Sequence, residues 1–528
     1  MGLVKRNSQA TRGGKKRKRS LLSYLESEAG LLAIFIASTV VVSISTLVVP
    51  WTLVDQAHEL LGPGDPQHHS VGNHLKQQSV ITQQHHLEKK SAEEISSKIV
   101  RPKADAVSNT KGIQEASNST EGYFLTHATP YHTIFSTGCS IFQDWQSYVF
   151  FYHVMQSGQE GHVTRIASGC NRAEKQQLQE MFDREISVMR PGIHHLHQTP
   201  DFSHVPKKEK KKFKYFNKPF GVRHWMEHAL GYPDNHKLHD DSIIILMDPD
   251  QIVLRPFTND FTNSSEVWRS PKKAKLKVEH GSPFAQQYGY GLQWLHQVNA
   301  TYVFEGSSPV SELTRKDAFD YYSAMGPPYI ATAKDMWSIV NKWSEIAPRV
   351  HDEYPHLLAE MFAYNLAIAH LGMRHTVAHS FHASDPRAGG EAWKLLDKVP
   401  ESQICRDFPV SEMPHVMHYC QRYYLGKWFI GKYQLRKDFI SCESPLLREP
   451  PRNVTSKYTT AILPNDKKER KEIPEKQRKR YGFMLCHMIE ALNAAAKYYK
   501  DQHCEEGTAN YEYSYTFHED MKMPDEAE

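Results

Sequence analysis

The chain has 528 residues, 40% hydrophobic and 23% charged, a length that accommodates one large catalytic domain with appendages. The formal net charge is only +4, so the distribution of charge is more informative than its sum. None of the seven cysteines forms a Cys-x-x-Cys pair, which argues against a structural zinc site.

The first part of the chain has the pattern of a membrane anchor. Eight basic residues lie within the first 19 positions, and residues 31–54 contain no charged residue. Such a span is long enough to cross a bilayer, whereas a cleaved signal peptide has a shorter apolar core. Positive charge before the span predicts that residues 1–30 are a cytosolic tail. The sequence therefore predicts a single-pass type II membrane protein, and we prefer this to a nuclear or nucleic-acid-binding interpretation of the basic tail.

Features after the span are typical of a lumenal protein. Four Asn-x-Ser/Thr sequons, at Asn118, Asn263, Asn299 and Asn453, all follow it. The seven cysteines follow it too; some should pair in an oxidising compartment, and their odd number leaves at least one over. Their connectivity is left open. Residues 55–125 are polar and poor in aromatic residues, which predicts a flexible stem.

Folded sequence is predicted to begin near residue 127. Residues 131–137 and 163–167 have strand patterns, and residues 144–157 between them have a helical one, which together predict a βαβ unit. No Gly-x-Gly-x-x-Gly is present, so a Rossmann dinucleotide site is not supported. Residues 172–215 read as irregular, which makes His194, His195 and His197 loop residues rather than a metal site. The lysine-rich run 207–214 is predicted to be an exposed loop that could steer an anionic substrate.

The apolar run 243–247 predicts a strand buried on both faces of a parallel sheet. Pro249 cannot continue a central strand, so Asp248 and Asp250 should lie at its carboxyl end, the edge where α/β sheets bind ligands. Carboxylates and phosphate oxygens are ligands that Mg²⁺ and Mn²⁺ prefer. The pair therefore predicts a cation that holds the diphosphate of a nucleotide sugar. The alternative is a solvated turn.

Two later segments supply further candidates. Glu360 lies in an otherwise apolar helical pattern at 357–371, where a carboxylate is either paired or held in a site with a raised pKa. The segment 413–433 is dense in histidine, aromatic and basic residues, and its His418 could complete the cation site. The bases that could meet a diphosphate are Arg422, Lys427 and Lys432. The alternative for this segment is aromatic packing with exposed bases. The glycine- and tyrosine-rich residues 288–291 could let a sugar approach the backbone, and the alternative for them is a packed turn.

The C-terminal part is predicted to be an appendage. Residues 451–480 are rich in proline and lysine and are interpreted as a linker. Residues 481–500 have an amphipathic helical pattern, and Cys486 and Cys504 could fasten this helix to the domain. The predicted organisation is thus tail 1–30, anchor 31–54, stem 55–125, catalytic domain 126–450 and appendage 451–528.

Residues from about 131 to 445 resemble the plant and algal peptidyl serine α-galactosyltransferases and their relatives, the hydroxyproline O-arabinosyltransferases. Order and spacing match as a set, which is more specific than any one motif. The segments that carry the resemblance are 132–136, 144–146, 161–166, 217–225, 245–250, 326–329, 359–364 and 416–419, with Cys442.

This resemblance implies a GT-A-like α/β fold with a mainly parallel, Rossmann-like sheet flanked by helices. It also implies a Mn²⁺ or Mg²⁺ cofactor, a UDP-sugar donor, a glycoprotein or peptide acceptor, and a Golgi or ER membrane anchor. The residue run 207–214 and the C-terminal helix depart from the family pattern.

By position, Asp248 and Asp250 would be the metal-binding pair of the family, with His418 as the third ligand. Glu360 would be the acidic residue on the acceptor side. The residues that would line the donor pocket, together with Asp248, are Thr137, Arg165 and Lys218.

The resulting hypothesis is a lumenal enzyme that transfers galactose or arabinofuranose to a serine or hydroxyproline hydroxyl of a secreted or cell-wall glycoprotein. Whether the reaction inverts or retains configuration is left open. The alternative is a non-catalytic, membrane-tethered module that binds glycans or proteins on a transferase fold.

Overall fold

The structure is a computed structural model that describes residues 125–206, 211–271, 274–406, 409–463 and 466–515. The predicted tail, the predicted anchor and all of the predicted stem except Leu125 lie outside these ranges. In the helices within them, we find no stretch both long and apolar enough to span a bilayer.

Within these ranges the strands are short, and most lie in one large and one small sheet. Their bounds are β1 Tyr131–Thr137, β2 His162–Ser168, β3 His194–Thr199, β4 Ile243–Met247, β5 Gln251–Val253, β6 Phe284–Gln287, β7 Met325–Thr332, β8 Thr376–Ala378, β9 His382–Ala383, β10 Val416–His418, β11 Arg422–Leu425, β12 Trp428–Gly431, β13 Leu446–Leu447, β14 Thr460–Leu463, β15 Asp466–Glu472 and β16 Tyr513–Ser514.

The helices of the same ranges vary widely in length. Their bounds are α1 Ile141–Gln156, α2 Arg172–Met181, α3 Asn217–Ala229, α4 Gln293–His296, α5 Ala300–Val303, α6 Arg315–Tyr321, α7 Ala333–Glu353, α8 Ala359–His370, α9 Trp393–Leu396, α10 Val454–Lys457 and α11 Glu475–His503. Shorter π or 3-10 turns cover Phe182–Ile186, Ser187–Met189, Lys214–Phe216, Pro309–Glu312, Glu401–Gln403 and Val410–Glu412.

The large sheet has seven strands in the order β3-β2-β1-β4-β7-β6-β8. Strands β1 to β4 are mutually parallel, β7 runs against both β4 and β6, and β8 is parallel to β6. Six of the seven strands therefore point the same way. The predicted α/β class with a mainly parallel sheet is confirmed.

Strand β4 is buried on both sides, which explains its uninterrupted apolar run. Ile244 and Leu246 pack into a core with α3, α7 and α8. Ile243, Ile245 and Met247 face the opposite core, which includes α1. Helices cover both faces of the sheet, so both sets of side chains are apolar.

The C-terminal helix α11 is fastened to the domain in two ways. It packs in a third core with α1, β5 and β10, and two disulfides, Cys405–Cys486 and Cys442–Cys504, tie it down. A third disulfide, Cys139–Cys170, joins the loops that follow β1 and β2. Cys420 stands outside these three pairs.

Two predictions from sequence were wrong. Residues 172–215 are not all irregular, since α2 begins with a capping box between Asn171 and Glu174 and β3 pairs in parallel with β2. The polar, histidine-rich sequence of β3 fits its place at the edge of the sheet. Residues 451–480 are not simply a linker, because β14 and β15 form an antiparallel hairpin there and α11 begins at Glu475.

Burial of His153 makes the contact between α1 and α11 sensitive to acid. Its Nε2 lies 2.9 Å from the backbone oxygen of Ala491, and burial lowers its pKa from 6.5 to about 4. Below pH 6.5 the unfolded chain therefore binds this proton more readily than the folded one. We expect the free energy of unfolding to fall by up to about 3 kcal/mol for this group as pH falls from 6.5 to 4.

Denaturant titrations at several pH values would test this expectation. His153→Gln retains an amide donor for Ala491 and should flatten the pH dependence of the unfolding free energy. The control His204→Gln alters a side chain that is 60% exposed and should leave that dependence unchanged. Equal slopes in the His153 variant and the unmodified chain would contradict the assignment.

Candidate active site

The two carboxylates of the Asp-Pro-Asp segment lie on the loop that joins the large sheet to the small one. Strand β4 ends at Met247 and β5 begins at Gln251. The backbone N–H of Asp248 donates to the side chain of Gln251 at 3.0 Å. The backbone oxygen of Asp250 accepts from the N–H of Tyr419 at 3.1 Å. Both ends of the loop are thus fixed by hydrogen bonds.

Strand pairing brings His418 to the same place. The small sheet has the order β5-β10-β9, and His418 at the end of β10 lies opposite Gln251 of β5. Its Nε2 is 3.2 Å from Oδ1 of Asp250. One ligand atom each from Asp248, Asp250 and His418 can be chosen so that all lie within 4.8 Å of one another. The structure therefore brings together the three residues proposed from sequence as metal ligands.

Two lysines balance these carboxylates. The Nζ of Lys218 lies 2.8 Å from Asp248, and that of Lys432 lies 2.7 Å from Asp250. Burial alone would raise the pKa of Asp250, but Lys432 and His418 hold it well below its usual value. Both carboxylates and the imidazole are donors that Mn²⁺ accepts, so these residues fit a divalent cation.

Glu360 belongs to the same charged cluster. It lies in the first turn of α8, is 3% exposed, and has one carboxylate oxygen 3.5 Å from Nζ of Lys218. Lys218, near the start of α3, thus stands between Asp248 and Glu360. Burial raises the pKa of Glu360 to about 7, against the opposing effect of Lys218 and with a further rise from Asp248.

Of the donor-pocket residues implied on β1 and β2, Thr137 ends β1, whereas Arg165 lies in the middle of β2 and reaches Thr137 with its side chain. Arg165 is fully buried and donates to Thr137 Oγ1 at 2.9 Å and to Asp144 at 2.8 Å. Phe135 of β1 lies opposite Met247 of β4, so the loop after Thr137 runs beside Asp248. Arg165 therefore holds the polar groups of this edge in place and has no exposed surface of its own.

A cavity of about 530 Å³ opens beside these strand ends. It is flanked by the loop after β1, the start of α1 and one face of α2. The lining residues are Cys139, Ser140, Ile141, Asp144, Glu174, Gln177 and Leu178. The cavity and the carboxylate cluster thus lie at the same edge of the large sheet.

Of the three bases proposed to meet a diphosphate, Lys432 lies in the cluster. Lys427 instead lies over the rings of Trp428 and Tyr515, at 5.4 and 4.8 Å from their centroids. Arg422 begins β11, which pairs with β12. Lys427 therefore packs against aromatic rings, as the alternative for segment 413–433 predicts, although this lysine is buried rather than exposed.

Sequence reasoning missed part of the surroundings of His418. The hydroxyl of Tyr288 donates to the backbone oxygen of Pro327 at 2.8 Å and lies 3.3 Å from Nδ1 of His418. A Cβ at Gly326 would lie 2.3 Å from the ring of Tyr288, so only glycine leaves room for it. His382 and Glu391 also adjoin this group, and no motif in the sequence singles them out.

Two curated relatives match this chain, although no family model does. The peptidyl serine α-galactosyltransferase of Arabidopsis thaliana is 25% identical over 327 residues, 61% of this chain and 34% of that protein. The enzyme of the same name from Chlamydomonas reinhardtii is 22% identical over 346 residues, 64% of this chain and 41% of that protein.

Over this region the chain is similar to two peptidyl serine α-galactosyltransferases. The resemblance inferred from the sequence motifs is thereby confirmed. The aligned region covers between about a third and two-fifths of the length of these relatives. Both are named as glycosyltransferases, the class predicted from sequence.

Solved structures of two glycosyltransferases share only a loose likeness with the chain. WbbM, a bifunctional enzyme, gives a TM-score of 0.29 at 10% identity, over 56% of this chain and 46% of that one. The galactosyltransferase LgtC, solved with donor and acceptor sugar analogues, also gives 0.29 at 11% identity, over 55% and 87%. These values are too low to bear on reaction or substrate.

The geometry predicts that metal affinity depends on Asp250. Asp250→Asn keeps the shape of the side chain but removes a charge, so we expect Mn²⁺ to bind about tenfold more weakly or worse. The matched control Asp438→Asn removes a carboxylate that is 53% exposed and pairs with Arg436, and it should bind Mn²⁺ as the unmodified chain does. Isothermal titration with Mn²⁺ measures both. Equal affinity in the two variants would place the metal elsewhere.

Proposed function

We propose that the chain is a metal-dependent, GT-A-like glycosyltransferase. It transfers galactose or arabinofuranose from a UDP-sugar to a serine or hydroxyproline hydroxyl of a secreted or cell-wall glycoprotein. The observation that carries the proposal is the grouping of Asp248, Asp250 and His418 at the carboxyl edge of a parallel sheet, with Glu360 reached through Lys218. The names of the two curated relatives support the same class.

In this proposal Asp248, Asp250 and His418 would hold Mn²⁺ or Mg²⁺, which would supply positive charge for the diphosphate leaving group. Lys218 and Lys432 add positive charge beside the same oxygens. Burial would lower the pKa of Lys218, but Asp248 and Glu360 raise it above its usual value, so this lysine stays charged. Fixed charges that need no rearrangement during the reaction are an effective source of catalysis.

The nucleoside part of the donor is assigned to the cavity beside β1 and β2. Thr137 ends β1 next to it, and Asp144 lines it. Arg165 acts as a positioning residue because it is buried and holds both of these side chains. In this proposal the base and ribose bind at one end of the site and the reacting sugar binds at the other, near Asp250 and Glu360.

Glu360 is the residue assigned to the acceptor. With a pKa raised to about 7 by burial, a large part of its carboxyl groups is ionised at neutral pH, as a general base requires. In an inverting reaction Glu360 would take the proton of the acceptor hydroxyl. In a retaining reaction it would orient the acceptor or stabilise positive charge on the sugar.

We also propose that residues 31–54 anchor the chain in the Golgi or ER membrane, with the catalytic domain in the lumen. Three disulfides lie among the described residues, which agrees with an oxidising compartment. Asn263, Asn299 and Asn453, the described sequon asparagines, are all exposed and accessible to glycosylation.

An activity assay tests the proposed function. The full-length chain is incubated with Mn²⁺, a panel of UDP-sugars, and serine-containing or hydroxyproline-rich peptides. We expect turnover of one donor, abolished by chelator and by Asp250→Ala. Glu360→Gln should lower kcat by about a hundredfold or more in an inverting reaction, since general base catalysis contributes that much, while the KM for the donor stays within a few-fold.

The control Asp438→Asn should retain full activity in the same assay. Binding of UDP without turnover of any donor–acceptor pair would favour the non-catalytic binding module. Absence of any nucleotide binding would overturn the glycosyltransferase proposal.

A further inference from the structure

A second group of polar side chains adjoins His418 on the small sheet. His382 begins β9 and lies opposite Val416 of β10, two residues before His418. The ring centroid of His382 is 5.6 Å from that of His418 and 4.9 Å from that of Tyr288. His382 is therefore close to the proposed metal ligands but was not assigned a role in the proposed reaction.

Glu391 holds a fixed position beside His382. Its backbone is in the left-handed region, with φ of +59°, which is costly for a residue other than glycine. Its carboxylate accepts a hydrogen bond from the hydroxyl of Ser384 at 2.8 Å and from the N–H of Asp385 at 3.2 Å. The same carboxylate lies 3.6 Å from Nε2 of His382. The surrounding backbone thus presents this charge to one side of the imidazole.

His382 itself is buried and incompletely paired. It is 1% exposed, and within the part of the chain that the structure describes neither ring nitrogen has a hydrogen-bond partner. A neutral imidazole has one N–H and one acceptor nitrogen. The carboxylate favours the proton on Nε2, which leaves Nδ1 as a buried acceptor. Since such groups are nearly always paired, a donor from outside the chain is expected.

Only some groups of the nucleotide sugar can donate a hydrogen bond to Nδ1 of His382. Diphosphate oxygens are acceptors and cannot pair with another acceptor, whereas each sugar hydroxyl has an O–H to donate. The sugar is bonded directly to the diphosphate, so a diphosphate held near His418 brings the sugar close to His382. A hydroxyl of the transferred sugar is therefore the matching group.

We propose that Nδ1 of His382 accepts a hydrogen bond from a hydroxyl of the transferred sugar, and that Glu391 positions His382 for this contact. The inference rests on the proposed function and extends it to the recognition of the sugar. It makes His382 a residue that distinguishes UDP-sugar from UDP.

Two substitutions that both preserve a polar side chain test the proposal. His382→Asn can place an oxygen acceptor near the position of Nδ1, whereas His382→Gln reaches toward Glu391 and leaves no acceptor there. The full-length chain with Mn²⁺ is titrated with UDP and with the nucleotide sugar, UDP-galactose or UDP-arabinofuranose, that binds more tightly. Loss of one hydrogen bond should weaken nucleotide-sugar binding about three- to tenfold in His382→Gln.

The expected result is that His382→Asn binds the nucleotide sugar nearly as well as the unmodified chain, and that both variants bind UDP equally well. Equal weakening toward UDP and UDP-sugar would overturn the proposal by assigning His382 a structural role. Unchanged binding of the sugar in both variants would overturn it as well, in favour of a buried water. Failure of the unmodified chain to bind UDP would instead overturn the proposed function itself.

A measurement on the unmodified chain keeps the proposal testable if the variants do not fold. Deoxy analogues of the same nucleotide sugar each remove one hydroxyl. One analogue should bind about three- to tenfold more weakly than the parent, as expected for a single hydrogen bond. If the His382→Gln variant folds, it should bind this analogue no more weakly than the unmodified chain does. Equal binding of all analogues and the parent would overturn the proposal.

Discussion

The compensation of two neighbouring carboxylates, Asp248 half-buried and Asp250 buried, is the constraint on which the site depends. Asp248 and Asp250 follow a strand with helices on both faces, where an unpaired charge is costly. Lys218 of α3 and Lys432, which follows β12, reach them from separate parts of the fold. Each of these elements must therefore dock on the sheet before the carboxylates are balanced. Correct packing of α3 and of the C-terminal part of the domain is a condition for a functional site.

Strand pairing in the small sheet positions His418 in the site. Residues 250 and 418 are far apart in the chain, yet the antiparallel pairing of β5 with β10 fixes His418 beside Asp250. A shift of one residue in this register would turn His418 to the other face of the sheet. The third core, which contains β5, β10 and α11, holds that register. The C-terminal helix, though remote in sequence from Asp250, thus supports the candidate metal site.

Local sequence patterns predicted the parts of the fold in which a whole element is buried on both faces. The run Ile243–Met247 could be recognised as a strand because both of its faces are buried, and Pro249 marked its end. Strand β3 was missed because an edge strand needs no apolar alternation, and its pairing with β2 comes from tertiary contacts. The candidate ligands were found through motif and family resemblance. The pairing of Glu391 with His382 was not found, because it depends on a left-handed backbone at Glu391 that the sequence pattern does not indicate.

The balance of charge explains how the lysines and a divalent cation can serve one site. The described cluster contains the carboxylates of Asp248, Asp250 and Glu360 and the ammonium groups of Lys218 and Lys432. In the proposed reaction a divalent cation and the doubly charged diphosphate of the donor would enter together, and their charges would cancel. Glu360, whose pKa is raised to about 7, would accept the proton that the acceptor hydroxyl loses in an inverting reaction.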